Sequence, residues 1–366
     1  MKKILILTAG FGDGHNTAAK NISKALEEEA LASVSIFDVY LQRAPWLTKI
    51  LQSGYRLAIN KAPMIWSVIF NFLNHPGYLE KTLFMTRPLR VALKKKIEET
   101  KPDILVSTYP LYAFLIRDLR QEGESSSNIP FVTVITDSTA INTSWYRSGS
   151  DDFIVVDHET AAVLRTTVDP KKIHVLGFPV DPCFSTFSRL NPQPSTPWRI
   201  LYLPSSQEQH TLNVLHALHA LEHLEITVVT GRLDQLYQTL QKSPLFHENK
   251  LKLVGWSDQV PQLLASHHLY IGKAGGAIVH EAMAAECPML ISHVVPGQEE
   301  GNIELIERHD VGRLAAHYPE TIAASVTEIF SNQGATWKRW KKHLKNLADP
   351  SASLKIARFL TTGQNP

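Results

Sequence analysis

The chain has 366 residues, of which 44% are hydrophobic and 20% charged, with a formal net charge of +2 at pH 7. That length suits two domains of ordinary size, and the composition is that of a globular protein rather than a disordered one. The near-neutral balance leaves no footprint for nucleic acid, so any attraction to an anionic membrane has to come from a local patch. Two cysteines, Cys183 and Cys287, give neither a disulfide framework nor metal-ligand spacing and fit a reduced, cytoplasmic setting.

Met1-Lys2-Lys3 followed by an apolar run has the look of a secretory leader. The run is shorter than the roughly 7–15 residues a leader requires and glycines follow at once, so residues 3–8 read as a first buried strand. No stretch approaches the roughly 20 apolar residues of a spanning helix, and a soluble or peripheral protein is expected. A turn with Gly10, Gly12 and Gly14 then opens a helix at His15. As a dinucleotide fingerprint it is poor, because the third glycine comes one residue early. An imidazole at a helix start faces the positive end of the dipole, which favours its neutral form. A neutral histidine can take a proton from a hydroxyl near pH 7. His15 as a plain cap of the turn is the alternative.

Residues 35–39 read as a second strand. From 44 to about 100 the character changes: aromatic and aliphatic residues, Trp46 and Trp66 among them, recur at helical spacing between prolines. A basic run with Arg87, Arg90, Lys94 and Lys95 follows. This is either a helical insertion with its own core or a set of interfacial helices facing an anionic membrane and a lipid-tailed acceptor. Strands at 102–107 and 130–137 flank a helix at 111–120. Asp137 falls at a strand's C-terminal end, where α/β sheets place ligand groups, although a strand-end cap reads equally well. A strand at 152–156, a helix at 158–165 and the segment 173–181 complete a first domain over 1–190. The proline-rich stretch 191–197 reads as a linker.

The second domain, 198–348, repeats the alternation. Strands are expected at 198–203, 225–230 and 251–254, and helices at 208–221 and 260–264. His210, His216, His219 and His223 invite a metal reading, and the last three share a helix face, but no carboxylate–histidine signature accompanies them, so they and the His267-His268 pair read as solvent-facing helix rather than metal ligands. An apolar strand at 269–271 leads into Lys273-Ala274-Gly275-Gly276, and a helix starts there. Glycines at such a turn let a phosphate approach backbone N–H groups at the helix's positive end. Glu281 lies about 8–9 Å further along, within reach of a ribose. After a strand at 289–291 comes a polar loop with Gln298, Glu299 and Asn302. The tail, 349–366, holds a last helix, and analogy with related folds implies that it packs back on the first domain.

Lys273-x-Gly275-Gly276-x-x-x-x-Glu281-Ala282, followed by Pro296-Gly-Gln298-Glu299-x-Gly301-Asn302, resembles the nucleotide-sugar signature of the monogalactosyldiacylglycerol synthase and processive diacylglycerol glucosyltransferase family. That family is related to the lipid-II N-acetylglucosaminyltransferase. Gly12-x-Gly14-His15-x-x-Ala18-Ala19 is similar to its acceptor loop, and Thr136-Asp137 with Trp145 to a further segment. The resemblance implies an α/β fold of two Rossmann-like doubly wound domains facing a cleft, the GT-B type. It implies transfer of a hexose from a UDP-sugar to a diacylglycerol or glycosyl-diacylglycerol acceptor by a cytoplasmic protein held peripherally at the inner face of the membrane. UDP-hexose would be a co-substrate, with no cofactor and no catalytic metal.

On the donor side the resemblance assigns Gly255 and Trp256 to the base and Gly275 and Gly276 to the phosphates. Glu281 takes the ribose, Gln298 and Glu299 the sugar, and Lys273, Ala274 and Asn302 belong to the donor site without a more specific role. His15 and Asp137 serve catalysis, with Gly12, Gly14, Asn142 and Trp145 lining the acceptor loop. Trp46, Trp66, Arg87, Arg90, Lys94 and Lys95 face the membrane. Two departures stand out: Asn142 occupies the place of a family histidine, and Pro204-Ser205-Ser206 replaces a glycine-rich phosphate loop, leaving the two serines as phosphate candidates. These keep open an N-acetylglucosaminyltransferase acting on a peptidoglycan or glycolipid precursor, and a catalytically weak UDP-sugar sensor. A nicotinamide or flavin enzyme would have only Asp38 as its ribose acid.

Overall fold

A computed structural model describes residues 1–10, 13–43, 87–123, 128–138, 141–147, 149–190, 192–204, 207–247, 251–295 and 299–364. These form two compact units, one of residues 1–182 with 351–364 and one spanning 183–350. Trp46, Trp66, Gly12, Ser205, Ser206 and Gln298 lie outside the described residues.

The first unit runs β1 (Lys2–Leu7), α1 (Asp13–Glu28), β2 (Ala32–Phe37), α2 (Val39–Arg43), α3 (Arg87–Thr100), β3 (Ile104–Ser107), α4 (Leu111–Gln121), β4 (Phe131–Val134), β5 (Asp152–Val155), α5 (His158–Leu164) and β6 (Ile173–Val175). The second runs β7 (Trp198–Tyr202), α6 (Glu208–His219), β8 (Leu224–Val229), α7 (Asp234–Lys242), α8 (Pro244–His247), β9 (Leu251–Val254), α9 (Val260–Ser266), β10 (Leu269–Lys273), α10 (Gly276–Ala284), β11 (Met289–His293), α11 (Glu300–Arg308), β12 (Gly312–Leu314) and α12 (Pro319–Leu347). A final helix, α13 (Ala352–Thr362), belongs to the first unit.

Each unit holds one six-stranded sheet, in order β2-β1-β3-β4-β5-β6 and β12-β11-β10-β7-β8-β9. All pairings between described strands are parallel. The uninterrupted apolar run of β1 follows from its central place, since alternate side chains go to opposite faces and both faces are covered. Ile4 and Ile6 pack with Ile22 of α1 and with Ile356 and Leu360 of α13. Leu5 and Leu7 pack with Leu93 and Ile97 of α3 and Leu115 of α4. In the second unit Trp198 stacks on Phe330 at 4.4 Å between ring centroids and lies tilted against Trp337.

α12 bends at Ser331–Gly334, where Asn332, Gln333 and Gly334 adopt left-handed φ of 49°, 57° and 73°. A Cβ on Gly334 would stand 2.7 Å from the Trp198 ring, so glycine both permits the bend and lets the indole close on it. Gly312 is constrained by space alone: a Cβ there would run into the Met289 carbonyl and come within 2.9 Å of Ile306 Cγ2. Gly312→Ala is therefore expected to destabilise the chain by about 1–3 kcal/mol through overpacking. The readout is a lower urea midpoint at unchanged slope, and an unshifted midpoint would contradict the packing.

The second strand begins three residues before the sequence expectation and ends at Phe37, because Asp38 has another task. Its Oδ2 accepts the Gly10 N–H at 2.9 Å and its Oδ1 accepts those of Tyr40 and Leu41, tying the glycine turn after β1 to the start of α2. A carboxylate so engaged is not the free ribose acid that a nicotinamide or flavin site would need.

Candidate functional site

In a doubly wound sheet, ligands settle at the C-terminal strand ends where the strand order reverses direction. In the first unit the reversal lies between β1 and β3, and in the second between β7 and β10. The loops that open there carry Gly10, Gly14 and His15 in the one case, and Lys273 to Gly276 in the other. Strand order, a property no local pattern reveals, thus selects the same two stretches.

His15 sits in the first turn of α1 and is partly buried. Its backbone carbonyl accepts the Thr108 hydroxyl at 3.0 Å, anchoring the turn to the end of β3. Its Nδ1 lies 2.9 Å from Thr136 Oγ1. Tyr109 meets the imidazole edge-on with centroids 5.2 Å apart, and Trp145 is tilted against it at 5.9 Å. Burial lowers the His15 pKa below its ordinary value, while the Asp137 charge and a hydrogen bond to the Thr108 backbone pull it back up. The neutral form is the one expected from the sequence, with burial as its leading cause. Asp137 Oδ2 accepts the Trp145 Nε1–H at 2.6 Å, so Asp137 and Trp145 are brought together beside His15. Asn142 is placed differently: its Oδ1 accepts the Ser144 N–H at 2.8 Å, capping the short 3-10 turn Thr143–Trp145 that carries the indole. Gly14 lies in the first turn of α1.

In the second unit β10 ends at Lys273, and Gly275 is the residue before the first turn of α10. Lys273 Nζ lies 3.6 Å from Glu299 Oε1. Glu299 is only 5% exposed, and its Oε2 accepts the Val295 N–H at 3.0 Å. Burial raises the Glu299 pKa, against the opposing pull of Lys273 and the Val295 N–H. A Cβ on Gly275 would stand 3.0 Å from Lys273 Cε, so the glycine leaves room for the lysine stem to fold over the turn. Asn302, also buried, donates from Nδ2 to the Ala274 carbonyl at 2.8 Å. Glu299 and Asn302 thus act on the turn from the head of α11. Glu281 lies in α10, partly buried. Gly255 follows β9, and the Trp256 ring, 65% exposed, is offered to solvent with the Arg232 guanidinium 6.0 Å from its centroid.

The basic run is quieter than its sequence suggests. Arg90 pairs with Glu122 at 2.7 Å, Lys94 with Glu98 at 4.0 Å and Lys95 with Glu99 at 3.8 Å. Arg87, exposed, begins α3. His216 is exposed on α6 as read from the sequence and His219 is half-buried there, but His223, though exposed, lies beyond the helix with a left-handed φ of 61°. The His267-His268 reading is corrected: both are buried, at 7% and 2% exposure, because each imidazole fills a hydrogen-bonded slot. His267 bridges the Leu263 carbonyl and the Thr227 hydroxyl. His268 accepts the Arg199 N–H at Nδ1 and donates from Nε2 to the Gln193 carbonyl. Among the described residues no group of three or more His, Cys, Asp or Glu side chains is arranged to hold a metal ion.

Sequence reasoning missed two residues at this edge of the second sheet, His293 at the end of β11 and His317 after β12. Neither stands in a motif, and only the strand order brings them beside His210 of α6. His210 and His317 stack with ring centroids 3.9 Å apart, and His293 approaches His317 at 6.0 Å.

Residues 15–180 match the family model for monogalactosyldiacylglycerol (MGDG) synthase. Over 357 residues the chain is 23% identical to the processive diacylglycerol beta-glucosyltransferase of Bacillus subtilis (strain 168), covering 94% of this chain and 91% of that protein. The crystal structure of Acinetobacter baumannii MurG superposes with a TM-score of 0.63 at 15% identity over 100% of both chains. The S. aureus MnaA–UDP co-structure gives 0.60 at 13% identity, over 100% of this chain and 99% of that one. At such identities the two structures speak for the fold, which is the GT-B class expected from the sequence.

Proposed function

We propose, from the match of residues 15–180 to the monogalactosyldiacylglycerol synthase family model, that the reaction of this chain is transfer of a hexose from a UDP-sugar to a lipid hydroxyl. The observation that carries this reading is the position of both motif stretches at the reversal point of their own sheets. In the second unit, the N–H groups at the head of α10 and the Lys273 ammonium receive the diphosphate, and Glu281 takes the ribose. Glu299 and Asn302 hold the turn in place. Gln298 is assigned to the sugar hydroxyls, and Gly255 with Trp256 to the base. Charge developing on the departing UDP is met by backbone donors and Lys273, so this reading asks for no catalytic cation.

In the first unit, His15 accepts the proton of the acceptor hydroxyl as its oxygen bonds to the anomeric carbon. The bond from that carbon to UDP breaks, and UDP leaves with the electron pair. Asp137, held by Trp145, stabilises the imidazolium that forms. The acceptor is assigned as diacylglycerol or a glycosyl-diacylglycerol, reached by peripheral attachment to the inner face of the cell membrane. The diacylglycerol named for the Bacillus subtilis relative supports this, and no helix among the described residues is long and apolar enough to cross a membrane.

The test is UDP release from UDP-glucose, UDP-galactose and UDP-N-acetylglucosamine, with and without diacylglycerol in anionic liposomes, EDTA present throughout. Lipid-dependent release from one hexose donor is the expected outcome and identifies the sugar. Release from UDP-N-acetylglucosamine alone would move the assignment to an N-acetylglucosaminyltransferase. UDP binding without turnover on any lipid would sink the enzyme and leave a nucleotide-sugar sensor.

A further inference from the structure

The three histidines gathered at the edge of the second sheet have a task that the transfer reaction has not used. His210 lies in the first turn of α6, the helix that follows β7, and His293 ends β11, beside β10. The Ala274 N–H donates to the His293 carbonyl at 3.2 Å, which ties the cluster to the Lys273–Gly276 turn. Among the described residues neither the His210 nor the His293 ring has a hydrogen-bond partner, and His317 Nδ1 lies 3.2 Å from the Ser292 carbonyl. We propose that this trio is a proton-linked clasp for the donor diphosphate, with His210 or His293 taking up a proton as the UDP-sugar binds. The proposal rests on the donor site assigned above.

The charged groups around the trio leave an anion as the missing partner. Lys273 of β10 faces His293 and disfavours its charging, as does His317. Glu299, the nearby carboxylate on the α11 side, is committed to Lys273 and the Val295 N–H. Glu208 of α6 accepts the Thr239 hydroxyl, and Glu320 in the first turn of α12 is exposed. Among the described residues no carboxylate pairs with any of the three rings. Burial and mutual repulsion hold His210 and His293 below the ordinary histidine pKa, so near neutral pH these two rings are uncharged in the free protein. A doubly negative ligand reverses that balance. A metal ion fits less well, because the stacked rings of His210 and His317 turn faces rather than lone pairs toward each other.

Linkage sets the sign: if binding takes up a proton, affinity rises as pH falls, by up to about tenfold per pH unit per proton. UDP-glucose is the probe, because its diphosphate diester does not titrate near neutrality, whereas the terminal phosphate of UDP does at about 6. Calorimetric titration of the full chain between about pH 8 and about pH 6, in two buffers of different ionisation heat, reads affinity and proton uptake together. Wild type is expected to take up about one proton and to bind about 10- to 100-fold more tightly at the lower pH. The double variant His210→Gln, His293→Gln is expected to lose the uptake and bring that affinity ratio close to one. His210→Gln alone reads a smaller uptake and a reduced ratio if the double variant is unstable. A pH-independent wild type, or a variant that keeps the wild-type ratio, overturns the clasp while the donor site stands. Failure of the folded protein to bind UDP-glucose, UDP-galactose or UDP-N-acetylglucosamine at any pH overturns the donor site, and the clasp with it.

Discussion

Replacing His15 by asparagine is expected to lower lipid-dependent turnover by about 10²- to 10⁴-fold while leaving UDP-sugar affinity nearly unchanged. Asparagine keeps a polar group facing Thr136 but cannot carry a proton near pH 7, so the substitution separates positioning from base catalysis. The wild-type pH profile supplies the second half of the test. A base works when neutral, and burial places the His15 pKa below its ordinary value of 6.5. Turnover should therefore hold steady as pH falls from 8 toward 6.5 and decline below it, as the imidazole protonates. Asp137→Asn removes the charge that raises His15, so its acid limb should move to still lower pH with a reduced plateau. An unchanged turnover number in His15→Asn, or an acid limb that ignores Asp137, would remove His15 from the chemistry.

The parts of this molecule that could be read from its sequence are those fixed by short-range pattern. The apolar run at 3–8 could only be a strand buried on both faces, and β1 is an interior strand of its sheet, between β2 and β3, with Leu5 and Leu7 on one side and Ile4 and Ile6 on the other. The strand, turn and helix around Gly275 are equally local, as glycine spacing dictates. What could not be read depends on which strands become neighbours. Asp38 looked like a free acid at a strand end, and only the fold shows it tied to the Gly10 N–H. His293 and His317 belong to no motif and acquire meaning from the company of His210. His267 and His268 misled for the same reason. A polar pair after a short helix reads as surface, yet a carbonyl, a hydroxyl and a backbone N–H from distant segments, with a further carbonyl one turn back, await those rings.

That buried pair yields the other large expected effect, a loss of stability on mild acidification. Burial is the leading cause that lowers both pKa values to about 4. For His268 the geometry explains why: Nδ1 accepts the Arg199 N–H and so has no place for a proton. In the unfolded chain both rings titrate near 6.5, so between 6.5 and about 4 the unfolded state binds more protons than the folded one. Stability is therefore fully present above 6.5 and falls as pH drops toward 4, by up to about 3 kcal/mol per histidine. That is a large share of the roughly 5–15 kcal/mol a folded protein has in hand. Glu299, whose pKa burial raises, acts in the opposite sense and offsets part of the loss as its carboxyl takes up a proton in the folded state. Urea midpoints followed by tryptophan fluorescence should fall steeply between about pH 6.5 and pH 4.5 in wild type. In the double variant His267→Gln, His268→Gln they should start lower and change far less, since glutamine can fill the slots but cannot titrate. Parallel pH curves for the two proteins would mean that these rings are not the groups that make the fold acid-sensitive.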